Sequence, residues 1–109
     1  MAISQVLCTS FKKELLEGTH AFGSDTFKIA LYTSAATLNA DTTAYSTDNE
    51  VSGTNYTAGG ATLGVGTVAS GDGVGFANFS DATWASSSFT ARGALIYNSS
   101  KSNKAVMVL

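Results

Sequence analysis

The chain has 109 residues, 44% of them hydrophobic and 13% charged, with a formal net charge of −2 at neutral pH. That length favours one domain, residues 1–109, around a single core, and so weak an acidic balance offers no basic field for a phosphate backbone, which excludes nucleic acid on charge grounds. The lone cysteine excludes an internal disulfide framework, and no stretch approaches the roughly 18 apolar residues of a membrane span.

Ala, Gly, Ser and Thr make up about half of the chain, yet one Trp, four Tyr and six Phe supply material for a packed core, so a folded domain is expected. Between Val51 and Ala91 the only charges are Asp72 and Asp81. Solvated protein surfaces usually carry about 25–35% charged residues, so this shortage points to partial covering by neighbouring subunits. The first residues lack a basic segment followed by a sustained apolar run, which makes synthesis in the cytoplasm the expectation.

Taken in chain order, the helical signal comes first. Ile3, Leu7, Phe11 and Leu15 recur every four residues, Cys8 and Leu16 widen the stripe, and Lys12, Lys13, Glu14 and Glu17 lie off it. With Ser4 as N-cap and Gly18 as the C-terminal stop, the spacing predicts an amphipathic helix over 4–17, closing one face or end of a sheet. A β-rich region then runs from about 26 to 109. Phe27, Ile29 and Leu31 alternate with Lys28, Ala30 and Tyr32, as in a strand with one buried face. Thr33–Glu50 is polar and long, and reads as a loop.

Tyr56–Leu63 contains Gly59-Gly60, which marks a bulge or a close backbone approach. Thr62–Ala69 and Val74–Phe79 flank Ser70-Gly71-Asp72-Gly73, the turn chemistry of a hairpin. After Asp81-Ala82-Thr83-Trp84 and Ser86-Ser87-Ser88, a strand is expected over Phe89–Tyr97. A polar turn, Asn98–Asn103, leads to the apolar run Ala105–Leu109. Short antiparallel strands with one helix predict a mainly β fold, an antiparallel sandwich or flattened barrel with the N-terminal helix packed on it. An apolar last strand needs cover from its own sheet, a partner subunit or further residues.

Catalysis requires convergent reactive groups, and none is visible. His20 is the only histidine and lies just past the helix end, where a structural role is expected; Cys8 lies on the apolar stripe and reads as core. Asp41, Asp48, Asn49 and Glu50 match no known cation loop and read as a solvated acidic loop, so no metal and no cofactor are expected. Tyr32, Tyr45, Tyr56, Trp84 and Tyr97 could form a platform for sugars, but core rings with wet polar ends are at least as good a reading. Arg92, the only arginine, sits in an uncharged stretch where its planar fork could bind a carboxylate across an interface, although a charge on a surface strand is the commoner outcome. The candidate interface residues are therefore Arg92, Tyr97, Val106, Val108, Leu109, Tyr45 and Tyr56.

Four blocks together, Thr9–Leu16, Thr26–Thr33 with Thr42-Thr43-Ala44-Tyr45, Tyr56–Gly60 and Phe89–Val108, resemble small virion structural proteins of tailed bacteriophages. The resemblance implies a non-enzymatic subunit, a capsid decoration or cement protein, that forms a homo-oligomer and contacts other virion proteins. Its alternative is a tail, neck or baseplate component, or an adhesin touching host glycans. Localisation in the virion follows from it, as does a continuation of the chain past its last strand; no contact with membrane is expected because the polar face of the helix is charge-balanced and not basic.

Overall fold

The computed structural model describes residues 3, 5–22, 24–79, 84 and 89–109, with the backbone alone at 65–68 and 74–78. In chain order its elements are β1 (Val6–Leu7), α1 (Thr9–Leu16), β2 (Phe27–Tyr32), β3 (Ala61–Leu63), β4 (Val65–Gly71), β5 (Val74–Phe79), β6 (Gly93–Asn98), a 3₁₀ turn (Ser99–Lys101) and β7 (Lys104–Val108). Five strands form one antiparallel sheet in the order β1-β7-β6-β2-β3, and β4 and β5 pair only with each other. The fold is mainly β, as expected. The five-stranded sheet is open, with β1 and β3 as its edges, and does not close into a barrel.

The N-terminal segment departs from the expected 4–17 helix. Val6 and Leu7 are extended and pair with Val108 and Met107, and Cys8 N–H donates to the Val106 carbonyl at 3.0 Å. The helix therefore starts at Thr9 with Cys8 as N-cap; the expected N-cap, Ser4, lies outside the described residues. Its end is as expected. Thr19 N–H donates to Glu14 O and Gly18 N–H to Leu15 O, with Gly18 at φ +77°, the paired bonds of a Schellman stop. Of the anticipated apolar stripe only Cys8 and Phe11 are buried; Leu15 is 45% and Leu16 91% exposed.

β2 also differs from its pattern. Phe27, Ala30 and Tyr32 are buried, whereas Ile29 and Leu31 are half-buried. The cause is what lies over the strand: Phe22 and Phe79 pack on Phe27 on one face, and on the other the long loop reaches Tyr32, whose hydroxyl donates to Ser46 O. Both faces are covered, and alternation loses its meaning.

Gly59 and Gly60 mark the close approach that their pairing announced. A Cβ at Gly60 would sit 1.8 Å from the Ile29 carbonyl oxygen, so β3 is brought onto β2 by the absence of a side chain. The extended run Ala61–Gly71 then leaves the sheet at Gly64 to become one strand of the β4–β5 hairpin, turned by Asp72 and Gly73, both at positive φ as a two-residue hairpin loop requires. Phe79, at the base of this hairpin, packs on Phe22 and Phe27. The final expected strand begins at Gly93 and not at Phe89; apart from Trp84, the residues from Asp81 to Ser88 lie outside the described residues.

The apolar last strand is covered by its own chain. β7 has β6 on one side; on the other, β1 pairs with its second half and residues 43–45 pair with its first half. There Ala105 N–H donates to Thr43 O and Tyr45 N–H to Asn103 O. Ala105, Val106 and Val108 are consequently buried in the main core with Phe27, Tyr32, Leu95 and Tyr97.

Candidate functional site

Three polar constructions organise the loops around this sheet. The first is a knot on Glu50. Tyr45 Oη donates to Glu50 Oε1 at 2.6 Å, Tyr56 Oη donates to Oε2, and Gly59 N–H donates to Oε2 at 2.8 Å. Leu31 N–H donates in turn to Tyr56 Oη, and Tyr97 Oη donates to Gly59 O at 2.6 Å. One carboxylate thus ties the long loop to both β2 and β6. Glu50 is half-buried and fully partnered, which corrects its reading as part of a solvated acidic loop. Burial pushes the Tyr45 and Tyr56 phenols well above their ordinary range, and the adjacent Glu50 carboxylate adds to the shift. Tyr32, whose hydroxyl donates to Ser46 O, is pushed up to about 12 by burial.

The second construction links the helix to the terminal hairpin. Asn98, fully buried, donates from Nδ2 to Asp25 Oδ2 at 2.8 Å and to His20 Nδ1 at 2.9 Å, while its Oδ1 accepts from Ser100 N–H. With Nδ1 accepting, the His20 proton lies on Nε2 and is donated to Glu14 Oε1 at 2.9 Å. Lys101 Nζ reaches both oxygens of Asp25 at 2.9 Å. The hydrogen bonds from Asn98, Lys101 and Ala21 N–H hold the Asp25 carboxyl down at about 2. His20 is therefore structural, as expected, although through Asn98 and Glu14 and not through the last helix carbonyls. Cys8 is also core, and burial raises its thiol above the usual range.

The third construction is a cleft of about 500 Å³ in the loop after β2, lined by residues including Tyr32, Leu38, Asn39, Asp41, Thr43, Asp48 and Asn49. Its walls are held by local bonds. Asn39 Oδ1 accepts from Asp41 N–H, Thr42 Oγ1 accepts from Asn39 N–H, and Asn49 Nδ2 donates to Ala35 O. Asp41 and Asp48 are exposed, and neither carboxylate forms an ion pair among the described residues. No three His, Cys, Asp or Glu side chains converge as a cation site among those residues.

The proposed interface residues fall into two groups. Tyr97, Val106 and Val108 are buried by this chain's own sheet, so their burial needs no partner. Tyr45 and Tyr56 are half-buried and tied to Glu50, and Tyr45 stacks on Tyr97 with ring centroids 4.6 Å apart. Arg92 and Leu109 remain exposed. The five aromatics do not form one platform: Tyr32, Tyr45 and Tyr97 belong to the core side, whereas Tyr56 clusters with Trp84 and Phe89. Sequence reasoning missed Glu50 and Asn98 as anchors. The only local signal was a Glu closing a Tyr-containing polar loop, which is too common to be diagnostic. No family model matches the chain, and neither a curated protein nor a solved structure matches it.

Proposed function

We propose that this chain is a non-enzymatic structural subunit of a tailed-bacteriophage virion, of the capsid-decoration or cement kind, acting through protein–protein contacts. The sequence resemblance supplies the class. The observation that carries the reading is how the interior polar groups are used. His20, Asp25 and Glu50 are each consumed in fixing a loop to the sheet, while the outer surface presents Ser/Thr/Asn loops, the exposed Leu15-Leu16 pair and Arg92. Rigid loops on an open sheet suit repeated docking on equivalent positions of a particle.

A second reading, a tail-associated component contacting host glycans, draws on the half-buried cluster of Tyr56, Trp84 and Phe89, rings of the kind that stack on sugars. Electron microscopy of particles with and without the protein separates the two. Loss of density at many equivalent capsid positions supports decoration, loss at the tail supports the second reading, and unchanged particles refute both.

A further inference from the structure

Among the described residues every strand edge but one is covered, short or bulged. β7 is covered by β1 and residues 43–45, β1 itself offers two residues and β3 three. β4 carries a bulge, with Gly66 and Thr67 opposing the single residue Asn78, and a bulge blunts an edge. β5 is different: its six residues, Val74–Phe79, contain no bulge and pair with β4 alone. Its other edge meets no strand among the described residues, and its sequence holds neither charge nor proline, the usual protections of an edge. The β4–β5 hairpin also joins no larger sheet, and two strands by themselves are only marginally stable.

We propose that β5 pairs antiparallel with β5 of a second copy about a twofold axis, joining two hairpins into a four-stranded sheet ordered β4-β5-β5-β4. A free strand edge is recognised by another strand, through backbone N–H and C=O groups. The partner follows from length. No other free edge among the described residues offers six residues without a bulge, so the best complement to β5 in an identical chain is β5 itself, and antiparallel self-pairing is an isologous contact that closes. The register follows from the turn. A two-residue loop at Asp72-Gly73 makes Gly71 and Val74 the first hydrogen-bonded pair, so by alternation Gly75, Ala77 and Phe79 direct their backbone groups away from β4. Ala77 then meets its own copy on the axis, with Gly75 opposite Phe79 on either side. Asp72, the one charge of the hairpin, ends about 30 Å from its copy at about 3.3 Å per residue, beyond the screening length, so no like-charge contact opposes the pairing. This inference goes beyond the virion reading and does not depend on it.

Sedimentation velocity and oxidative cross-linking of the full chain test it, with circular dichroism confirming that each variant is folded. The wild type should dimerise about equally at low and high salt, because backbone bonds and not charges make the contact. Ala77→Pro removes an N–H that points away from β4, a change an edge strand tolerates, and should weaken dimerisation about thirtyfold, since the axis removes two donors at once. Ala77→Cys should give a disulfide-linked dimer under mild oxidation, because opposed residues of a hydrogen-bonded antiparallel pair lie about 5.5 Å apart at Cα, within disulfide reach. Asp72→Cys should cross-link far more slowly, and the wild type, with its buried Cys8, is the blank.

A monomeric wild type, a folded Ala77→Pro chain that dimerises as the wild type does, or cross-linking at 72 as fast as at 77 would each overturn the contact. So would a dimer that Ala77→Cys fails to link, which would mean that β5 pairs with a different strand. Should Ala77→Pro fail to fold, the two cysteine variants decide. Particle labelling is the separate readout for the virion reading. Protein that binds particles yet stays monomeric in solution refutes the self-contact alone, and a dimer that binds no particle refutes the virion reading alone.

Discussion

Gly60→Ala is expected to be the most damaging single-methyl change in the described fold. The new Cβ would lie 1.8 Å from Ile29 O, 2.6 Å from Ile29 C and 2.8 Å from Ala30 Cα, all backbone atoms of the central strand β2. No rotamer change relieves such a contact. Reaching a separation of about 3.0 Å moves β3 away from β2 by more than about 1 Å, which breaks a ladder whose bonds span about 2.9 Å. The ladder holds three residue pairs, Phe27↔Leu63, Lys28↔Thr62 and Ile29↔Ala61.

At about 1 kcal/mol net per hydrogen bond, losing that pairing costs about 2–3 kcal/mol, and a left-handed backbone without glycine adds about 1–2 kcal/mol, since Gly60 is at φ +80°. The expected loss is about 4 kcal/mol, or roughly 20 °C in Tm for a domain of this size. Gly18→Ala provides the control. Its φ is +77° with no atom within 4 Å of the new Cβ, so it suffers the backbone term without the clash. Urea unfolding of both variants measures the difference. Equal destabilisation by the two substitutions would refute the claim that close approach to β2, and not conformation alone, demands glycine at 60.

Other expectations follow from the polar anchors and the helix. Glu50→Ala strands two tyrosine hydroxyls and the Gly59 N–H, and should cost about 3 kcal/mol; hydrogen exchange should speed up across residues 33–60 while β6 and β7 stay protected. Asp25 has its carboxyl held at about 2 against an unfolded value of 3.8. Because its folded pKa is lowered, its contribution is present above pH 4 and fades as the pH falls toward 2. Asp25→Asn should thus destabilise the protein at pH 7 and flatten the acid limb of a stability–pH curve; an unchanged limb would count against the Asn98 and Lys101 contacts. Tyr32, raised to about 12, works at the other extreme: its contribution is intact below pH 10 and is lost between about 10 and 12. Alkaline unfolding in that window is the expected observation. Phe11→Ala should cost about 3–5 kcal/mol, whereas Leu16→Ala, at a site 91% exposed, should change stability by less than about 0.5 kcal/mol. Comparable losses would mean that Leu16 is buried after all.

What the sequence determined by itself was local. Gly18 stops the helix because the positive-φ turn after Glu17 tolerates few other residues, and Asp72-Gly73 turns a hairpin because both positions adopt positive φ. Gly59-Gly60 announced a close approach, and a polar turn between two apolar runs announced the terminal hairpin. Each signal is carried by residues within a few positions of the structure it specifies.

Tertiary structure decided which segments meet. Val6 and Leu7 fit a helical period as well as a strand, and only the availability of the β7 edge, from the opposite end of the chain, drew them into the sheet. Residues 43–45 cover the rest of that edge through backbone groups that any sequence carries, so no side chain advertised the contact. Ala30 and Tyr32 are buried because segments distant in sequence, Ser46 among them, lie over their face of β2, a fact about its neighbours and not about its alternation. The same holds for the site. Arg92 was conspicuous as the only arginine, but its place at the Tyr32 end of β2 depends on β6 pairing with β2, a non-local contact that local chemistry permits without specifying.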